Sequence, residues 1–333
     1  MKKPKKIHVV GGSGFIGTSL VRLLLSQNID VEIFDKNLSA DFPKLTSIGD
    51  VRNLDDLRNS ITENSVIINL AAEHKDNVVP ASLYYDVNLG GAENIIKVAE
   101  EKNVETIVFT STVAVYGFAE IGADEHSNIQ PFNEYGKSKF EAEKVFENWQ
   151  SKSTEKRTLV ILRPTVVFGE RNRGNVYNLL NQIRSKKFVM IGNGKNTKSM
   201  AYIENIVAFM NFCLKIDKGK HIFNYSDSPD FTMNELVHLT YSYLGFNSSR
   251  ITRIPFFIGL AIGKVFDLVS FLFGKKFIIS SIRVKKFCAN SSYSNSIENT
   301  GFIRPYSLKR ALKKTINYEF IEKKPNSRVF FTE

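Results

Sequence analysis

The chain has 333 residues, 43% of them hydrophobic and 24% charged, which excludes a disordered protein and allows one large core or a main domain with a smaller satellite. Its two cysteines, Cys213 and Cys288, could form at most one disulfide, so a cytoplasmic location is favoured. The net charge of +11 is concentrated in residues 250–286, where eight Lys or Arg accompany a single acid, Asp267.

Short β-branched runs alternate with helical stretches over roughly the first 160 residues, which predicts a parallel sheet with crossover helices. The candidate strands are Ile7–Val10, Val31–Phe34, Ser65–Leu70, Thr106–Phe109 and Leu159–Leu162, and the candidate helices are Phe15–Ser26, Leu54–Ser60, Ala92–Glu101 and Glu134–Gln150. The predicted class is α/β, with a doubly wound Rossmann domain over residues 1–165. A smaller C-terminal α/β part over 166–333, interleaved with the sheet, is expected at the carboxyl edge, where ligands of such sheets bind.

The first strand leads through a glycine-rich loop into the first helix. Gly11, Gly14 and Gly17 fall at three-residue intervals, which suits a tight turn and close approach of the backbone to a pyrophosphate. Gly11, Gly14, Phe15, Ile16 and Gly17 are therefore predicted to bind a dinucleotide. Asp35 ends the second strand, where a carboxylate binds ribose hydroxyls and repels a 2′-phosphate, so NAD is favoured over NADP. The alternative is a structural turn and a surface aspartate.

Two further segments fit a cofactor site. Asp50 and Val51 follow a third candidate strand, and Asp50 is predicted to hold the adenine edge. Leu70, Ala71 and Ala72 end the next strand, where small residues let the chain pass beside the cofactor.

Tyr135 and Lys139 are four residues apart at the start of a predicted helix, which puts them on one helical face. A free tyrosine has a pKa near ~10, too high for a base at neutral pH. An ammonium one turn away and a positive nicotinamide ring favour the phenolate, and Lys139 can also hold the nicotinamide ribose. An isolated pair would be better explained as an ordinary amphipathic helix start.

Together, the glycine spacing, the Asp-Val-Arg segment, the Leu-Ala-Ala strand end and the Tyr-x-x-x-Lys pair resemble the extended short-chain dehydrogenases/reductases over the whole chain. The resemblance implies that Thr112, or else Ser111, binds the reacting sugar oxygen. It also implies that Asn88 braces the active-site helix, although Asn88 could be an ordinary polar residue of a helix.

Sugar 4,6-dehydratases of this family carry an Asp-Glu pair where this chain has Val113 and Ala114, so dehydration is not expected. What remains is oxidation or reduction at one carbon, with Tyr135 as the base. Epimerisation results if the 4-keto sugar rotates and receives the hydride on its other face. The five histidines show no zinc-ligand spacing, so no metal is expected.

The run that follows the sixth strand is expected to line the substrate cleft. Arg171 and Arg173 could meet a diphosphate there, with Asn175 beside them, or could be solvated loop charges. His74, beside the cofactor strand, is a further candidate substrate residue. Met200 stands where nucleotide-sugar epimerases usually carry an arginine, which argues against a UDP-sugar.

Residues 256–273 are mostly large and apolar, interrupted by Lys264, Asp267 and Ser270 at i, i+3 and i+6. Two central charges cost roughly 5–7 kcal/mol for insertion, so spanning a membrane is marginal. An interfacial helix against anionic headgroups fits better, and a buried core or dimer helix is the alternative. The flanking cations are Arg250, Arg253, Lys275 and Lys276. No motif supports nucleic-acid binding.

Residues 70–78, 169–180 and 281–289 are similar to a bacterial subfamily of 4-epimerases that act on GlcNAc linked to undecaprenyl diphosphate. The similarity implies a lipid-linked sugar diphosphate substrate in O-antigen synthesis and a cytoplasmic enzyme peripheral on the inner membrane. A homodimer paired through helices near 92–101 and 134–150 is also implied. The alternatives are a soluble UDP-N-acetylglucosamine 4-epimerase, a 4-keto UDP-sugar reductase, and a non-catalytic NAD sensor.

Overall fold

The computed structural model describes residues 6–75, 78–118, 120–247, 251–274, 280–322 and 328–332. The helices are α1 Phe15–Ser26, α2 Leu54–Ser60, α3 Ser82–Tyr84, α4 Gly91–Glu101, α5 Glu134–Ser151, α6 Asn175–Arg184, α7 Ile203–Cys213, α8 Met233–Tyr243, α9 Phe256–Phe273, α10 Ser281–Cys288 and α11 Leu308–Ile316. The strands are β1 Ile7–Val10, β2 Val31–Asp35, β3 Thr46–Ile48, β4 Val66–Asn69, β5 Thr106–Thr110, β6 Thr158–Pro164, β7 Val166–Phe168, β8 Val189–Ile191, β9 Thr197–Lys198, β10 Met200–Tyr202, β11 Gly219–Tyr225, β12 Phe231–Thr232 and β13 Thr252–Ile254. The predicted flanking cations Arg250, Lys275 and Lys276 lie outside the described residues.

Seven parallel strands form the main sheet in the order β11-β6-β5-β4-β1-β2-β3. This confirms the predicted α/β class with a doubly wound sheet. Strand β11 comes from beyond residue 165 and pairs with β6 from Gly219–Thr158 to Tyr225–Pro164, so the second part of the chain completes the sheet.

Two apolar layers hold the sheet between helices, because successive side chains of a strand point to opposite faces. Val9 packs in the layer that contains residues of α1 and α7, such as Leu20 and Phe209. Val10 packs in the opposite layer with Phe146 of α5 and residues of α2 and α4. Burial on both faces explains why the strands are continuous apolar runs.

The chain order reverses between β1 and β4, which lie side by side at the centre of the sheet. A Cβ atom at Gly11 would lie 2.5 Å from the backbone nitrogen of Ala71, so the segments that follow these two strands are in direct contact. Ligands of open α/β sheets bind in the crevice at such a switch point.

Helix α9 lies on the surface of the C-terminal part, which rules out the alternative of a helix buried in the core of this chain. Only Gly259 and Gly263 are buried, whereas the Phe271 side chain is 85% exposed. The glycine face packs inward: a Cβ at Gly263 would lie 2.8 Å from Ser281 Cα of α10. Asp267 also turns toward α10 and accepts hydrogen bonds from the Ser281 backbone N–H at 3.2 and 3.3 Å. Within the described residues, α9 is the one helix long and apolar enough to cross a membrane, judged by length and composition.

Candidate active site

The glycine-rich loop forms a cradle at the start of α1. Gly11 has a φ of +81°, and a Cβ at Gly17 would lie 2.5 Å from Gly12 Cα, so both positions require glycine. A Cβ at Gly14 would meet only Gly11 O, at 3.5 Å, so space lies in front of it. Gly14 caps α1 without a side-chain hydrogen bond, which leaves the N–H groups of the first turn, Phe15 to Gly17, for an anion. The cradle fits the pyrophosphate of NAD.

Asp35 lies at the end of β2 beside this loop. Its Oδ2 accepts a hydrogen bond from the Ser13 backbone N–H at 3.0 Å, and its Oδ1 accepts one from Asn37 N–H at 2.9 Å. Burial raises the pKa of the Asp35 carboxyl above its ordinary value, and the two backbone N–H groups oppose that shift. Each oxygen keeps acceptor capacity, which fits a pair of ribose hydroxyls.

The predicted adenine-side residues lie at the neighbouring strand ends. Asp50 receives two hydrogen bonds from the Arg52 guanidinium, at 2.6 and 3.0 Å, and these lower the pKa of its carboxyl. The Asp50 carboxylate is therefore already paired, and its contact with adenine stays a prediction. Val51 is buried under α4, where a Cβ at Gly91 would lie 2.9 Å from Val51 Cγ2. Leu70, just past β4, donates its N–H to Val10 O at 2.8 Å and so directs the following Ala71 and Ala72 past the glycine loop.

Tyr135 and Thr112 meet at the start of α5. The Thr112 side chain lowers the pKa of Tyr135 against the larger opposite effect of burial. The Asn133 side chain caps the helix by accepting the Gly136 N–H at 2.8 Å, which fixes the first turn that carries Tyr135. Ser111, the alternative to Thr112, is buried, and its hydroxyl has no hydrogen-bond partner among the described residues. The geometry thus favours Thr112 as the oxygen anchor.

Burial dominates the pKa values of both Tyr135 and Lys139. Burial raises the pKa of Tyr135 to about 12, and Lys139 is not among the groups that shift it. Lys139 is itself buried, which lowers the pKa of its ammonium to about 7. Its Nζ lies 4.2 Å from the centre of the Phe109 ring. Burial therefore disfavours the charged form of both groups. The predicted joint effect of the Lys139 ammonium and a positive nicotinamide ring on the Tyr135 phenolate stays a prediction.

Asn88 braces the active-site helix as the family resemblance implies. It lies in a π-helical stretch, Tyr85–Gly90, and its Nδ2 donates to Ser138 Oγ of α5 at 2.9 Å. Nδ2 also donates to Glu73 O at 3.1 Å, and Oδ1 accepts the Glu73 N–H at 2.8 Å. Asn88 thereby fixes the segment after β4 against the turn of α5 that carries Lys139, while direct contact with the cofactor stays a prediction.

A buried ion pair behind Lys139 was not predicted from the sequence. The Arg163 guanidinium binds Glu143 through two hydrogen bonds, Nη2 to Oε2 at 2.6 Å and Nε to Oε1 at 3.0 Å. Arg163 Nη1 donates to Tyr116 OH at 2.7 Å, and that hydroxyl donates to Asn224 Oδ1 at 2.7 Å. Glu143 also acts on Lys139, because its charge raises the pKa that burial lowers. The available signal was the spacing of Tyr135, Lys139 and Glu143 at i, i+4 and i+8 on one helical face.

The two arginines predicted to meet a diphosphate have carboxylate partners instead. Arg171 binds Asp41 through both terminal nitrogens, at 2.8 and 2.9 Å. Arg173 binds Glu319 at 2.6 Å, and its guanidinium lies 4.0 Å from the centre of the Tyr177 ring. Each arginine thus has a carboxylate partner within the fold, and Asp41 is shared with Arg22. Contact of Arg171 or Arg173 with the substrate stays a prediction.

The remaining substrate predictions are His74 and Asn175, which are both exposed and stay predictions. Met200 is buried, and the nearest cation of that segment is Lys198. The Lys198 ammonium donates to the carbonyls of Lys286 at 2.8 Å and Ala289 at 2.7 Å, and burial lowers its pKa to about 8. It ties β9 to the end of α10.

Known proteins are similar to this chain in sequence and in fold. The model of the NAD dependent epimerase/dehydratase family matches residues 7–225. The N-acetyl-alpha-D-glucosaminyl-diphospho-ditrans,octacis-undecaprenol 4-epimerase of Escherichia coli O157:H7 is 43% identical over 329 residues, 98% of this chain and 99% of the relative. The UDP-glucose 4-epimerase of Vibrio cholerae is 26% identical over 94% of this chain and 95% of its own length. Among solved structures, the UDP-glucose 4-epimerase of Thermus thermophilus in complex with NAD superposes with a TM-score of 0.72 at 17% identity, covering 94% of this chain and 98% of its own.

Proposed function

Because the chain belongs to the NAD dependent epimerase/dehydratase family, we propose that it is a 4-epimerase that interconverts GlcNAc and GalNAc on undecaprenyl diphosphate. The observation that carries this proposal is the 43% identity, over nearly the full length of both chains, to a relative named for that substrate and reaction. Tyr135, whose pKa the Thr112 side chain lowers, lies one helical turn from Lys139, and this arrangement supports proton transfer at one sugar oxygen.

The residues of the site have distinct parts in the reaction. The Tyr135 phenolate takes the proton from the sugar 4-hydroxyl and becomes the neutral phenol, and Thr112 orients the same sugar oxygen. The glycine loop and Asp35 would hold NAD, which when bound would supply a hydride acceptor and a positive ring that favours the tyrosine phenolate. Lys139 lies on α5, and the negative charge of Glu143 raises the pKa of its ammonium. The positive charge of Lys139 compensates the negative charge of the Tyr135 phenolate. Hydride delivered to the opposite face of C4 in the 4-keto sugar, with the proton returned from Tyr135 to the C4 oxygen, would invert that carbon.

The positions of the Lys and Arg side chains in the C-terminal part favour a substrate whose diphosphate is not attached to uridine. Arg171 and Arg173 are bound to carboxylates, and Lys198 donates to backbone carbonyls. Exposed cations are found instead on the α9–α10 hairpin, including Lys264 of α9 and Lys285 of α10. These cations lie beside an apolar surface, as a lipid-linked diphosphate requires.

We further propose that α9 lies in the membrane interface and makes the enzyme peripheral on the anionic inner face. The helix turns Gly263 and Asp267 toward α10 and Gly259 toward Ile191 of β8, and its other side exposes large apolar side chains. These are Phe257, Ile258, Ile262, Val265, Leu268, Phe271, Leu272 and Phe273. A wide apolar face flanked by lysine and arginine is typical of interfacial helices.

In the first experiment, the purified protein is incubated with GlcNAc-diphospho-undecaprenol in detergent and, separately, with UDP-GlcNAc. The sugar in each product is then identified. GalNAc on the lipid is expected. GalNAc on UDP alone would contradict the lipid assignment and favour the soluble epimerase. Stoichiometric consumption of NADH with a 4-keto UDP-sugar would instead identify a reductase, and no turnover at all would favour the NAD sensor.

The membrane proposal has its own test, flotation of the protein with vesicles that contain anionic phospholipid. The Phe257→Ser/Phe271→Ser variant is expected to lose most flotation, since both side chains lie on the exposed face of α9. Ile303→Ser is the matched control, because Ile303 is 86% exposed but lies outside the hairpin. Equal flotation of both variants and the parent chain would contradict the proposal. Size-exclusion chromatography tests the predicted homodimer through α4 and α5.

A further inference from the structure

Two phenylalanine rings stack on the surface next to the candidate site. The ring centres of Phe118 and Phe132 are 4.5 Å apart with an angle of 27° between the planes. Despite this contact, Phe118 is 72% exposed and Phe132 is 44% exposed. A stacked aromatic pair that stays exposed presents a preformed apolar surface with few rotamers to lose on binding.

The same two segments carry the rings and the reacting groups. Phe118 follows the turn that begins at Thr112, and Phe132 precedes Asn133, which caps the helix of Tyr135. The segments lie against each other, because the Gln130 N–H donates to Val115 O at 3.1 Å. Three residues of extended chain span at most about 11 Å, so the Cα atom of Phe132 lies within about that distance of the Cα atom of Tyr135. A hexose and its diphosphate can bridge such a separation.

On its other side the aromatic pair contacts the α9–α10 hairpin. The Lys286 ammonium of α10 lies 5.6 Å from the centre of the Phe132 ring. The loop after Phe118 is attached to the segment after α10, since the Gly122 N–H donates to Ser292 O at 2.9 Å. The aromatic pair and Lys286 therefore connect the segments of the reacting groups to α10, which packs against α9.

We propose that Phe118 and Phe132 bind the first isoprene units of the substrate's polyprenyl chain and that Lys286 binds the adjoining diphosphate. The inference rests on the proposed lipid-linked substrate and names the residues that recognise its lipid part. A cation next to exposed aromatic rings matches a ligand in which two phosphates are followed directly by an unsaturated hydrocarbon. A nucleoside diphosphate would instead place a ribose at the rings.

The test uses the full chain in buffer without vesicles or detergent, with GlcNAc-diphospho-farnesol and GlcNAc-diphospho-methanol as substrates. For Phe118→Ser/Phe132→Ser, kcat/KM is expected to fall about 10- to 100-fold on the farnesyl substrate and to stay unchanged on the methyl substrate. Ile303→Ser, which also removes an exposed apolar side chain but away from the site, is expected to change neither. The thermal shift produced by NAD, unchanged in each variant, shows that the variants are folded.

Lys286→Ala is expected to lower kcat/KM about tenfold on both substrates, because the diphosphate is common to them, and Lys286→Arg is expected to restore it. Lys218→Ala is the matched control. Lys218 is exposed and precedes β11, so it lies at the amino ends of the strands, opposite the carboxyl ends that lead to the site. If the aromatic variant keeps its farnesyl kinetics and loses only vesicle flotation, the rings are membrane anchors and the inference is wrong. If the unaltered chain turns over neither lipid-linked substrate, the proposed function itself fails.

Discussion

Replacing Glu143 by leucine should destabilise the fold and change the pH dependence of the reaction. Glu143 and Arg163 have side chains only 2% and 3% exposed, and two hydrogen bonds join them. Removing one partner of such a pair leaves the other charge buried without compensation, which costs about 3–5 kcal/mol. For a chain of this size the melting temperature should fall by roughly 4–7 °C.

The measurement is urea unfolding followed by tryptophan fluorescence. The chain has one tryptophan, Trp149, and it is fully buried on α5, the helix that carries Glu143. The double variant Glu143→Leu/Arg163→Met removes both charges and keeps similar volume, so it should recover most of the lost free energy of unfolding. A single variant within about 1 kcal/mol of the parent would refute the reasoning, as would a double variant no more stable than the single one.

The activity of a Glu143→Gln variant separates structure from charge. Glu143 raises the pKa of Lys139, which burial lowers to about 7, so its neutralisation should lower that pKa further. The protonated fraction of Lys139 then falls at a lower pH, and kcat should decrease more at pH 8 than at pH 6. A kcat ratio between these two pH values equal to that of the parent would show that Glu143 acts only through stability.

Two other predictions rest on single residues. Tyr135→Phe should lower kcat by about 10²–10⁴-fold and leave the NAD-induced thermal shift intact, because it removes the proton acceptor and keeps the ring; turnover within tenfold of the parent would identify a different base. His8 is buried with its pKa lowered to about 4, and its Nε2 accepts the Thr62 N–H at 3.1 Å, so the unfolded state binds the extra proton between pH 6.5 and 4. The free energy of unfolding should therefore fall by about 3 kcal/mol as pH drops through that window. Urea unfolding at pH 7 and pH 4.5 measures this loss, and the His8→Gln variant should lose less between the two pH values than the parent chain. An equal loss in both proteins would assign it to other groups.

The sheet was predictable because its strands are buried on both faces and are separated by turn residues. Helices α1 and α2 have the bounds predicted for them, and the other predicted elements differ by a few residues at most. The short edge strand β3 was placed only approximately, since its three residues are partly exposed and show no apolar run. Strand β11 was not predicted, because its first four residues, Gly219 to Ile222, are only partly buried or exposed at the sheet edge.

Site residues with backbone reasons were also predictable, whereas partners distant in sequence were not. Gly11 and Gly17 are required by contacts of the chain with itself, which the spacing encodes. By contrast, the partner of Arg171 is Asp41, 130 residues away, and no local pattern links them. The pKa of Lys139 depends on the depth of burial, which a helical spacing does not reveal.

The positions of the paired and the exposed cations favour a lipid-linked diphosphate on grounds that do not depend on sequence identity. A diphosphate needs cations that are not already bound to carboxylates, and the Arg171 and Arg173 guanidiniums are held by Asp41 and Glu319. On α10 the Lys286 side chain is exposed and lies over the Phe132 ring, beside the segment that carries Tyr135. The charge that could meet the diphosphate is thus next to apolar surface rather than in a nucleotide cleft. A substrate whose diphosphate continues into hydrocarbon satisfies both conditions, whereas a uridine would leave the apolar surface beside Lys286 uncovered.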